Sequence, residues 1–61
     1  MKMLARTADD LVGTYRKFGA EGPAYQVLRK LDERTVRVRV VETAEELDYP
    51  VQESLDDPEA E

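Results

Sequence analysis

Sixty-one residues carry nine basic and fourteen acidic side chains, for a formal charge of −5, with no cysteine, no histidine, no tryptophan and a single serine, Ser54. A chain this short makes one domain at most, and its core must come from nineteen large apolar side chains (six Leu, seven Val, three Tyr, two Met and one Phe), with no disulfide or zinc site to reinforce it. Catalysis by a group titrating near neutrality loses its two commonest agents, His and Cys.

In chain order, Leu4, Ala8, Leu11 and Val12 stand at helical spacing, with Thr7 as a candidate N-cap and Asp9 and Asp10 in the first turn, where the helix dipole favours acids. This predicts a helix of only six to nine residues, and residues 1–6 are expected to be disordered. After Gly13 the β-prone run 14–18 predicts a first strand, and Gly19-Ala20-Glu21-Gly22-Pro23 reads as a turn. Residues 24–31 and 35–43 flank Asp32-Glu33-Arg34 as the two arms of an antiparallel hairpin. Val36, Val38 and Val40 alternate with Arg37 and Arg39, so one face is apolar and the other cationic. An uninterrupted register sets Tyr25, Val27 and Leu31 beside those valines, and leaves Arg29 as a charge on the apolar face.

Beyond a turn at 43–45, Leu47, Tyr49 and Val51 alternate with Asp48, Pro50 and Gln52. Proline cannot donate to a ladder, so a strand here is an edge or stops at Tyr49; an equally physical reading starts a short helix at Pro50, with Val51 and Leu55 four apart and Pro58 blocking continuation. The favoured combination is a strand through Tyr49 and then a turn or two of helix. Residues 58–61 read as a disordered, solvated tail. The predicted fold is a single small α+β domain: an antiparallel sheet of three to four strands, a meander with a central hairpin, plus one or two short helices.

All nine bases lie in residues 1–40 with five acids, a net of +4, whereas residues 41–61 hold nine acids and no base, a net of −9. The strings Val12-Gly13-Thr14-Tyr15-Arg16-Lys17-Phe18-Gly19, Gly22-Pro23-Ala24-Tyr25, residues 41–46, Tyr49-Pro50 and Asp56-Asp57-Pro58 resemble a family of short uncharacterised bacterial proteins. The resemblance spans residues 12–58 and implies a small, soluble bacterial protein; it brings no activity and no catalytic residue. Where the family pattern commonly has glycine this chain has Ala44, so the turn there is expected to differ in type.

Several chemistries are weakened by spacing alone. A carboxylate pair could be drawn from the acidic end in many ways, and no pair is singled out. The cluster Asp56, Asp57, Glu59 and Glu61 lacks the spacing and glycine of a calcium loop, and Gly19–Pro23 lacks the lysine and following helix of a phosphate loop. No cofactor and no metal are expected, and the aromatic residues Tyr15, Phe18, Tyr25 and Tyr49 are expected in the core or in cross-strand packing. No apolar run approaches the length of a membrane helix and no secretory signal is recognisable, which leads to the expectation of a cytoplasmic protein without membrane partner.

These exclusions leave a non-enzymatic protein-interaction or regulatory module, antitoxin-like in one concrete version. In that reading Glu45, Glu46, Asp48, Glu53, Asp56 and Asp57 contact a basic partner surface. The alternative is a small nucleic-acid-binding regulator that grips phosphates with Lys30, Arg37 and Arg39, extended by Arg16 and Lys17. The acidic segment opposes that alternative over a Debye length of about 8 Å. The small core also makes a homodimer an option.

Overall fold

The computed structural model describes residues 6–60; the predictions for Leu4, residues 1–5 and residue 61 lie outside the described residues. The elements are α1 (Ala8–Leu11), β1 (Tyr15–Lys17), β2 (Ala24–Asp32), β3 (Thr35–Val40), β4 (Glu46–Pro50) and α2 (Val51–Asp56). The strands form one antiparallel sheet in the order β1-β2-β3-β4. The fold is thus the small α+β meander with a central hairpin that the alternation of apolar residues predicts.

α1 is shorter than its apolar spacing suggests. Thr7 precedes it in extended conformation, and the Asp10 carboxylate reaches back to accept from the backbone N–H groups of Arg6 (3.1 Å) and Thr7 (3.3 Å). The Arg6 N–H bond, ahead of the others, holds the Asp10 carboxyl below its ordinary pKa. Ala8 and Leu11 are buried, but Val12 leaves the helix in extended conformation and is 42% exposed, so it does not continue the apolar stripe. Gly13 then turns the chain into β1 at φ 87°, a value costly for residues with a Cβ.

The two long strands meet with Tyr25 opposite Val40 and Val27 opposite Val38, as an uninterrupted hairpin requires. Two register shifts follow. Arg29 pairs with Arg37 and Lys30 with Val36 after the first, and Asp32 with Thr35 after the second, leaving Leu28 and Leu31 without opposite partners. The predicted register is therefore corrected beyond Val27. Leu31 is 43% exposed instead of packing on a valine, and Arg29 is exposed on the cationic face instead of buried on the apolar one. The first shift takes Arg29 off the inner face and brings Lys30 onto it, where Glu33 and Asp9 meet its ammonium, and the second gives up the burial of Leu31.

Both helices cover that inner face. Leu11, Tyr25, Val27, Val36 and Val38 are fully buried, joined by Ala8 and Val51, with Phe18, Tyr49 and Leu55 packed around them. Burying each of the larger side chains contributes about 1.5–3 kcal/mol relative to exposure. Phe18, Tyr25 and Tyr49 form an aromatic trio with centroid separations of 4.3, 5.1 and 5.3 Å, as expected for packing residues, whereas Tyr15 is 48% exposed.

β4 is an edge strand, which is how it accommodates Pro50. The same proline opens α2 at φ −66°, and α2 buries Val51 and Ser54 while Leu55 rests on the core. The expected solvated tail is different in its backbone. Pro58 and Glu59 are exposed, yet Lys17 N–H donates to the Pro58 carbonyl (3.0 Å) and Ala60 N–H to that of Tyr15 (2.8 Å), so this segment closes the free edge of β1.

Two turns carry the tight geometry. In the β1–β2 loop Gly19 sits at φ 77°, and a Cβ on Gly22 would run into the Phe18 carbonyl. After β3, Ala44 occupies the left-handed region at φ 63°, where an alanine Cβ costs roughly 1–2 kcal/mol. Ala44→Gly removes that cost but frees the unfolded chain, so a net stabilisation of about 0.5–1 kcal/mol is expected, read as a higher urea midpoint at unchanged slope. Among the described residues no helix is long and apolar enough to cross a membrane.

Candidate functional site

The outer sheet face carries two cross-strand rows. Tyr15, Gln26, Arg39 and Glu46 align across all four strands, and Arg29, Arg37 and Asp48 align beside them. Arg39 Nη2 donates to Gln26 Oε1 at 3.2 Å. Arg37 donates to Asp48 Oδ1 through Nη1 (2.6 Å) and to Glu46 Oε1 through Nε (3.4 Å), and the aspartate ahead of the glutamate holds its guanidinium still more firmly protonated.

The backbone explains why this ion pair is so close. Val40 N–H donates to Glu45 C=O and Val51 N–H to Arg34 C=O, so odd-numbered residues of β4 bond to β3. Arg37 and Asp48 are therefore a non-hydrogen-bonded pair, the kind in which antiparallel side chains approach most closely.

Of the three cations proposed for phosphate, Arg37 and Arg39 share the outer face and Lys30 does not. Lys30 lies opposite Val36, on the inner side, where its ammonium meets Glu33 (3.0 Å) and Asp9 of α1 (3.8 Å). The Glu33 bond raises its pKa. Arg29 takes its place on the outer face through the first register shift. The warning in the sequence was Arg29 itself, a charge that an unbroken register would have buried. Arg16, the suggested extension of the stripe, points inward opposite Tyr25 and is 5% exposed, while Lys17 lies opposite Ala24.

The six acids proposed for a partner also divide. Glu45, Glu53 and Asp56 are exposed and form no ion pair among the described residues. Glu46 and Asp48 share Arg37. Asp57 belongs to an internal network: Oδ2 accepts from the hydroxyls of Tyr25 (2.7 Å) and Tyr49 (2.9 Å), and Oδ1 from Gly19 N–H (3.1 Å).

Ser54 Oγ, fully buried, shares a 2.9 Å bond with the Tyr25 hydroxyl. Burial first, and Asp57 after it, pushes the pKa of both Tyr25 and Tyr49 upward. Arg16 Nη1 donates to the carbonyls of Ser54 (3.2 Å) and Asp57 (2.8 Å), a cation on the carbonyl end of α2. Its Nε is buried without a hydrogen-bond partner among the described residues. This network ties β1, β2, β4, the Gly19 turn and α2 together, and its residues are spent on one another.

A cleft of about 360 Å³ lies between the hairpin turn and the start of α2, lined by Glu33, Arg34, Pro50, Val51 and Gln52 and partly open to solvent. Among the described residues no three acids gather in a way that could hold a metal ion.

No curated protein matches the chain. The family model of a family of unknown function, DUF5397, matches residues 3–61, and the chain belongs to that family.

Proposed function

We propose that this chain is a non-enzymatic, cytoplasmic protein-interaction module that meets a basic partner surface with the exposed acids of its C-terminal half. The observation that carries the reading is the division among those acids. Asp57 is enclosed and Glu46 and Asp48 share one arginine, while Glu45, Glu53 and Asp56 stay exposed in a stretch, residues 41–61, that holds no base of its own. Arg37 spreads over two carboxylates, so one negative charge of that trio also stays uncompensated.

One observation favours a second reading. Lys17, Arg29 and Arg39 form no ion pair among the described residues, and the exposed ring of Tyr15 lies on the same face, an arrangement suited to phosphate and a stacked base.

Amide spectra at low salt separate the two. Titration with a short oligolysine is expected to shift residues around Glu45, Glu53 and Asp56, with the effect lost in Glu53→Lys/Asp56→Lys. A single-stranded oligonucleotide is expected to leave the spectrum unchanged. Shifts at Arg29 and Arg39 with the oligonucleotide, and none with oligolysine, would replace the first reading by the second.

A further inference from the structure

The sheet has two edges and the fold treats them differently. The edge of β1 is closed by Pro58–Ala60. The edge of β4 is not: with residues 45 and 51 bonded to β3, the N–H and C=O groups of Glu46 and Asp48 point the other way, and among the described residues they make no hydrogen bond. Pro50, which has no N–H to offer, falls in the same outward register and ends this open stretch.

Side chains on the two faces of that edge are of opposite kinds. Glu46 and Asp48 stand on the outer face, and Leu47, opposite Val38 on the inner face, is 36% exposed at the margin of the core. A strand laid along this edge would meet carboxylates on one side and an apolar side chain on the other. β3 already satisfies that requirement from within, offering Arg37 to the two carboxylates and Val38 to Leu47.

We propose that the open edge of β4 is a strand-addition site for an extended segment of a partner protein in which cationic and apolar residues alternate. The inference rests on the reading of the chain as a module for basic partners, and adds how such a partner is held. Backbone bonds to Glu46 and Asp48 supply the attachment, and charge supplies the selection. A second copy of β4 is the wrong occupant, because its own Glu46 and Asp48 would lie against the same carboxylates.

The probe is a capped eight-residue peptide alternating arginine with valine, added to the full chain and followed by amide shifts and hydrogen exchange. Expected are slowed exchange at Glu46 and Asp48 and binding at least tenfold tighter than that of a peptide of the same composition with its arginines in one block. A glutamate–valine alternating peptide should not bind. Glu46→Lys/Asp48→Lys should abolish binding of the cationic probe, and Glu46→Gln/Asp48→Asn, which keeps shape and removes charge, should weaken it at least tenfold. Equal binding of the blocked peptide, with shifts at Glu53 and Asp56 and unchanged exchange at Glu46 and Asp48, would overturn strand addition and leave the broader reading standing. Equal binding of the glutamate peptide would overturn the charge selection, and no binding of either cationic peptide at low salt would overturn both.

Discussion

Asp57→Ala is expected to lower the stability of the chain by about 2 kcal/mol, because it takes the acceptor from the half-buried Tyr49 hydroxyl and leaves Tyr25 with Ser54 alone, while the exposed Gly19 N–H turns to water. Total stability for this length is on the order of 3–9 kcal/mol, so the variant should lose a substantial share of it. Equilibrium urea unfolding measures the loss. Adding Tyr49→Phe to Asp57→Ala should recover part of it, since the second change removes the hydroxyl left without its acceptor. A loss below about 0.5 kcal/mol, the range of an exposed acid, would show that the network does not hold the fold together.

The same cluster predicts alkaline instability. Unfolded tyrosines titrate near pH 10, whereas Tyr25 and Tyr49 hold their protons to higher pH in the folded chain. Above pH 10 the unfolded state therefore binds fewer protons than the native one, and stability falls as pH rises. The contribution is complete below pH 10 and is lost as pH climbs toward the raised native values. The slope is about 1.4 kcal/mol per pH unit for a phenol that stays fully protonated, with the smaller share from the partly exposed Tyr49. Urea midpoints measured between about pH 9 and 11.5 should thus decline steeply, and Tyr25→Phe should flatten the decline while lowering stability at neutral pH. A flat profile in the parent chain would contradict the placement of both hydroxyls.

Much of the architecture is written locally. Alternation in Val36–Val40 sets the face of β3, and the paired runs around Asp32–Arg34 set the hairpin. Proline at 50 and 58, with Val51 and Leu55 between, marks the last helix. What escaped the local reading depends on partners far along the chain. Arg16 looks like a surface cation until the carbonyls of Ser54 and Asp57, about forty residues later, come to it. Asp57 looks like one acid among nine until two tyrosines from different strands converge on it. The register shifts in β2 have no signature of their own, since an extra residue in a strand changes no composition, and only the awkward placement of Arg29 hinted at them. The pairing of Pro58–Ala60 was hidden for a similar reason: a charged, proline-containing end is indistinguishable by composition from a solvated one.

The two irregularities in β2 bear on how the chain tolerates changes of length. Loss of the codon for Leu28 or Leu31 would restore regular pairing and keep Val27 inside and Arg29 outside, because the strand already carries one surplus residue at each point. Loss of one codon within Val36–Val40, where there is no surplus, would turn arginines toward the helices for the remainder of the strand. Drift in length is therefore cheap on one arm of the hairpin and ruinous on the other.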